Sequence, residues 1–296
     1  MISHFDHAFM FAPHDAATTV AWLQAAGFLA NLEDGVQHAG GQLNVFALLT
    51  GSYLEFMTIA DEAEFQRSSS PVEQLYRQAL RPFGVVAFTN DADEVFAKLE
   101  PQCAGLAPVA RSAPADAPET PFWAILKIPE PTVPGVQVSV LQYLFPIPKA
   151  SVRCSPNSIY AFGGFWFCSE DNEQARDSWL RLLEQLAPEV QVKGNICNVG
   201  PQQLRWISPA EHEALLGRVW APPPSSIGAI CALRLLCESK ATIEQWLRKA
   251  GVEYALLDAT TLVVHAFGDI IFVIEEVGSG AEFAAYVNRY RKVTKL

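Results

Sequence analysis

The sequence predicts an α+β fold assembled from four βαβββ modules, and three observations lead there. The same order of elements recurs four times along the 296 residues: an apolar strand, an acidic or polar turn, a helix, then two or three strands. Strict strand–helix alternation, which a doubly wound parallel sheet requires, is absent. A Pro- and Ser-containing stretch from Pro146 to Asn157 separates the second and third copies and reads as a domain boundary. The predicted domains are residues 1–148 and 156–296, each built from two modules.

The first copy opens at Phe5 to Phe11. Asp15 is a ready N-cap for a helix carrying Val20 and Leu23, and Gly27 stops it. Strands are expected around Gln37–His38, Leu43–Leu49 and Tyr53–Ile59. The second copy opens at Phe83 to Thr89 and continues into a helix, DADEVFAKLE, whose acidic first turn suits the helix dipole. A Pro/Ala-rich loop around Arg111–Pro121 leads to FWAILKI and to VQVSVLQYLF, where Val136, Val138 and Val140 alternate with Gln137, Ser139 and Leu141. The third copy opens at Ile159 to Cys168, with Ser169 or Asp171 as cap. Its helix repeats Ala175, Trp179, Leu182, Leu183 and Leu186 at spacings of three and four. Strands follow around VQVKGNICNV and LRWIS. The fourth opens at Ile227 to Cys237; its helix carries Ile243, Trp246, Leu247 and Ala250 and stops at Gly251, before YALLDA, TLVVHAF and DIIFVIEEV. APPPSS (Ala221 to Ser226) is a stiff spacer between copies three and four. The tail from Ala281 reads as a helix with a basic end, suited to a domain edge or a homodimer contact.

Composition narrows the partners. Half of the residues are apolar and 18% are charged, as in ordinary globular proteins. A net charge of −11 argues against nucleic acid and anionic membrane. Six cysteines are scattered among apolar neighbours with no CxxC and no zinc-finger spacing, so reduced core thiols are expected. The first residues lack a basic n-region, and no apolar run reaches membrane-span length. A cytoplasmic location is therefore the expectation. Phosphate-binding loops, nucleophile elbows and HExxH zinc motifs are absent. Asp91 and Asp93 read as helix-capping residues, Glu275–Glu276 as a strand end, and His265 with Asp269 as a structural pair.

Asp6-His7 in an aromatic first strand, Gly27-Phe28 ending the helix, then His38, Asn44 and Tyr53-Leu54-Glu55, together resemble the glyoxalase-like branch of the vicinal-oxygen-chelate superfamily. The match is local, Ile2 to Ile59, and the module pattern extends it over the chain. The resemblance implies a cup formed by two paired modules. It also implies one divalent metal (Zn, Fe, Mn or Ni) held by a histidine from the first strand and a glutamate from the fourth. Its members include glyoxalase, epimerase, extradiol dioxygenase and antibiotic-resistance proteins, so fold does not set reaction.

Two readings of the candidate residues follow. His7 is either a metal ligand or a hydrogen-bonded histidine on an aromatic face with Phe5, Phe9 and Phe11. Glu55 alternates with Tyr53 and Met57, and a carboxylate there needs a metal, an ion pair or a hydrogen bond. Further ligands are sought in His38 or Gln142, because the second module's first strand (Phe83-Gly84-Val85) offers none. Gly163-Gly164 and Ala229-Ile230 leave the later copies without an evident site. The first expectation is a metal-dependent lyase, isomerase or dioxygenase acting on a small oxygen-rich metabolite, with Glu55 as ligand and base. The second is a metal-free small-molecule binding or sequestration protein, its cup lined by Phe5, Phe9, Tyr53, Met57 and Trp123 with Glu55 and Asn44 orienting the ligand.

Overall fold

The computed structural model describes residues 1–38, 40–112, 121–129, 132–133, 135–144, 155–187, 189–219, 229–267 and 270–277. Expectations placed on Cys154, Asp269, the spacer at 221–226, the tail from Ala281 and most of the two Pro-rich loops lie outside the described residues.

Two eight-stranded mixed sheets divide the chain. The first contains β1 (Ile2–Phe11), β2 (Val36–His38), β3 (Gln42–Leu49), β4 (Ser52–Ile59), β5 (Pro82–Thr89), β6 (Ala110–Ser112), β7 (Trp123–Ile128) and β8 (Gln137–Tyr143). The second contains β9 (Ile159–Cys168), β10 (Val190–Lys193), β11 (Ile196–Val199), β12 (Gln202–Ile207), β13 (Ala229–Cys237), β14 (Tyr254–Leu256), β15 (Thr261–Phe267) and β16 (Ile270–Glu276). Strand orders are β2-β3-β4-β1-β5-β8-β7-β6 and β10-β11-β12-β9-β13-β16-β15-β14. At each centre the two module-opening strands run antiparallel, and each has its own module's last strand parallel beside it. The four expected modules are therefore present in order, related in pairs by pseudo-twofold axes.

The module helices are α1 (Ala16–Ala25), α4 (Ala92–Leu99), α5 (Asn172–Leu186) and α7 (Lys240–Ala250). Asp15, Asp91, Asp171 and Ser239 cap them by accepting from backbone N–H groups of the first turn. Their apolar faces meet the backs of both sheets in one core: Leu23, Val95, Trp179, Leu183 and Leu247 belong to the same cluster as Phe5, Val85, Phe165 and Phe272. The opposite, concave faces carry separate apolar clusters.

Three further helices lie where no helix was expected: α2 (Glu62–Ser68) and α3 (Pro71–Ala79) after β4, and α6 (Pro209–Leu216) after β12. Their signal is local. Ser70 with Glu73, and Ser208 with Glu211, form reciprocal capping boxes, each followed by a proline that opens the helix. These helices pack over the concave faces. Phe65 and Tyr76 join Phe11 and Phe83 in the first cup, and Leu216 joins the second.

Candidate functional site

The site begins with an irregularity in β1. Phe5 pairs with Ala87 and His7 with Val86, so Asp6 is the extra residue of a β-bulge. The bulge reverses the alternation of faces. Phe5 points into the shared core, edge-on to Phe165 at 5.0 Å, while Phe9 and Phe11 lie in the concave cluster. Phe5 is thus neither beside His7 nor a wall of the cup, contrary to the sequence expectation. The same bulge turns Asp6 and His7 to one side, where strict alternation would oppose them.

His7 is held between two carboxylates. Its Nδ1 lies 2.8 Å from Asp6 Oδ2, and its Nε2 lies 3.2 Å from Glu55 Oε2. Asn44 Nδ2 donates to Glu55 Oε1 at 2.6 Å. The Tyr143 hydroxyl donates to Asp6 Oδ2 at 2.9 Å. Tyr53 stacks on the imidazole with ring centroids 4.3 Å apart, and Phe46 meets Tyr53 edge-on at 5.1 Å. Strand register explains the convergence: Asn44 on β3 pairs with Met57, Phe46 with Glu55, and Phe9 with Glu55, so one face carries all of these side chains.

Burial disfavours charge on His7, but the hydrogen bonds and negative charges of Asp6 and Glu55 outweigh it and raise the imidazole to about 9. Burial likewise works against the Glu55 carboxylate, yet His7 and then Asn44 hold it below its ordinary range. His4, buried on the same strand against Phe88, goes the other way: desolvation lowers it to about 4 against the pull of Asp6. Burial, then the neighbouring Tyr143, Asp6 and Glu55, push the Tyr53 phenol well up. Near neutral pH the centre is a protonated imidazole between two carboxylates. It can hold a proton, accept hydrogen bonds at Glu55, and offer an aromatic face.

The remaining sequence candidates divide. Phe9 and Met57 lie in the apolar floor with Phe83, Val86 and Leu141. Gly84 is required there because a Cβ would fall 1.8 Å from the Phe9 ring. Trp123 packs at the edge of that floor. His38 is exposed on the short edge strand β2, and no described contact joins it to His7. Gln142 faces the helices instead of the cup, where its Oε1 accepts from Ala92 N at 2.9 Å. Register also moves the second module's corresponding positions. Val86 pairs with His7, and Leu141 stands to Phe88 as Glu55 stands to the strand beside it. Neither has a donor atom.

The metal implied by the resemblance does not fit this arrangement. A histidine ligand needs a free ring nitrogen. Both nitrogens of His7 face carboxylates, and the second module contributes Val86 and Leu141. Among the described residues, no group of three or more His, Cys, Asp or Glu side chains is arranged to hold a metal ion. Sequence reasoning missed Asp6 as a partner of His7, and Tyr143. The single available signal was an acidic residue inside an apolar strand.

Paired βαβββ modules closing a cup are the fold of the vicinal-oxygen-chelate class. The chain belongs to its glyoxalase-like domain family, whose sequence model matches residues 5–183. No curated protein sequence matches. Among solved structures, a hypothetical protein from Staphylococcus aureus superposes with a TM-score of 0.59 at 11% identity, covering 94% of this chain and 100% of the other. A mutant 4-hydroxymandelate synthase from Streptomyces coelicolor gives 0.54 at 13% identity, covering 98% and 99%. A catechol 2,3-dioxygenase gives 0.55 at 11% identity, covering 94% and 88%. At these identities the likeness is one of fold. Among the described residues no helix is long and apolar enough to cross a membrane.

Proposed function

We propose that the first cup is a metal-independent binding site for a small, partly aromatic molecule bearing N–H or O–H donors. The observation that carries this reading is the engagement of both His7 nitrogens by Asp6 and Glu55. A second feature supplies the ligand's polar anchor. Asn44 is 4% exposed, and its Oδ1 is buried without a hydrogen-bond partner among the described residues. A buried acceptor left open is uncommon and favours a bound donor. The stacked His7 and Tyr53 rings, with Phe46 edge-on to Tyr53, suit a planar body. Binding or sequestration, with no metal-assisted step, is therefore the function this geometry supports. The buried free cysteines support a reducing, cytoplasmic setting.

Thermal melts against a panel of phenols, anilines and aromatic amides test this reading, each run with and without EDTA. A ligand at a hundred times its Kd raises the melting temperature by about 4 °C or more. The shift persists in EDTA and is lost in Asn44→Ala. Stoichiometric first-row metal in the purified protein, with the shift abolished by chelation, overturns the proposal.

A further inference from the structure

The second sheet repeats the register of the first, so each position of the first cup has a counterpart. His7 pairs with Tyr53, as Gly164 pairs with Gln203. Two residues on, the pair Phe9–Glu55 becomes Trp166–Arg205. Asp6 and His7 are replaced by Gly163 and Gly164, where Gly163 is again the bulged residue. Val86 and Leu141 become Arg234 and Glu275. At the position of Glu55 the first cup therefore carries a carboxylate and the second a guanidinium, that of Arg205.

The two arginines of the second cup differ in what they already hold. Arg234 donates through Nε and Nη2 to Glu275 Oε2 at 2.8 and 2.6 Å, and through Nη1 to the Gly163 carbonyl at 3.1 Å. Arg205 lies over the Trp166 ring, 4.4 Å from its centroid. Its Nε is buried and has no acceptor among the described residues. Trp166 is only 4% exposed, and its indole Nε1 is likewise buried without an acceptor. Two N–H donors on stacked groups are thus open together, beside an apolar floor of Ile207, Cys231, Ile271 and Val273. Buried donors of this kind are normally satisfied. The Nε edge of a guanidinium matches the two oxygens of a carboxylate, and the charge strengthens the bond.

We propose that the second cup binds a small organic carboxylate. Its oxygens accept from Arg205 and Trp166, and its apolar body rests on the Ile207–Val273 floor. This site is independent of the first cup and selects the opposite polar chemistry.

Calorimetric titration of the full chain with acetate, benzoate and phenylacetate tests it, with methyl benzoate, which has no N–H or O–H donor for the first cup, as the neutral control. The expected result is saturable, one-to-one binding of at least one aromatic carboxylate, with methyl benzoate about tenfold weaker or worse. Arg205→Gln, checked by its melting curve, weakens binding about tenfold or more, and Arg205→Lys retains part of it. Trp166→Phe keeps the apolar contact, weakens binding, and removes the ligand-induced fluorescence change. Asn44→Ala, in the other cup, leaves carboxylate binding in place. Absence of saturable binding for all three acids, or unchanged affinity in both Arg205→Gln and Trp166→Phe, overturns the proposal.

Discussion

His4 and His7 lie on one strand with their pKa values shifted in opposite directions, from which a bell-shaped dependence of stability on pH is expected. His4 is lowered to about 4 by burial, so between pH 4 and 6.5 the unfolded chain binds the extra proton and stability rises with pH. His7 is raised to about 9 by Asp6 and Glu55 against burial, so between pH 6.5 and 9 the folded chain holds the extra proton and stability falls. Urea midpoints across pH 4 to 9.5 should therefore peak near 6.5. His7→Gln should flatten the alkaline limb and keep the acid one; an alkaline limb equally steep in that variant would refute the assignment. His7 and Glu55 were legible in the sequence because polar groups inside apolar strands need partners. Asp6 was not. Period-two alternation assigns it to the opposite face, and nothing in the sequence announces the bulge that turns it round.

Bulges also separate where the strands lie, which apolar alternation shows, from which residue stands at each site position, which it does not. Apolar alternation locates β5, β8, β9 and β13, but each inserted residue shifts the pairing. The counterparts of His7 thus prove to be Val86 and Arg234, in place of Phe83-Gly84-Val85 and Ala229-Ile230. The helices α3 and α6 were legible in principle from Ser-Pro-x-Glu, a pattern shared by both halves. A strand–helix–strands repeat has no place for either helix, since each follows the last strand of its module. The bulge in β9 rests on a glycine that no other residue replaces. Gly164 has φ +123°, and a Cβ there would lie 2.0 Å from the Gln203 carbonyl oxygen in the paired strand. Backbone cannot yield as a flexible side chain does, so Gly164→Ala should cost about 3 kcal/mol or more. Gly217, with φ +69° and nothing within 4 Å of its Cβ, is the control. Gly217→Ala should cost only about 1–2 kcal/mol. Equal losses in denaturant titrations would contradict the steric account.

Two tandem domains joined by a linker suggest two independent folding units, but the packing argues for one. The backs of both sheets and their module helices form a continuous core. Each sheet also completes the other's central strand. β1 gains its parallel partner β4 only from His7 onward, so the preceding edge is open. There Gln202, at the start of β12, stands in for a strand: its Oε1 accepts from Phe5 N at 2.6 Å, and its Nε2 donates to Phe5 O at 2.7 Å and Phe162 O at 3.2 Å. The reciprocal contact is Thr50 N, before β4, donating to Tyr160 O on β9 at 2.8 Å. None of this was legible in the sequence, where a glutamine beside a turn resembles any surface residue. Gln202 is 1% exposed, and Gln202→Ala leaves three buried backbone groups without a side-chain partner, at a cost of about 2–4 kcal/mol. Because those groups belong to both sheets, the loss should lower one shared transition. Scanning calorimetry should show a single peak with a calorimetric to van't Hoff enthalpy ratio near one, in the wild type and in the variant alike. If Gln202→Ala splits the peak, or the wild type already shows two, the sheets fold separately and the shared core is not what couples them.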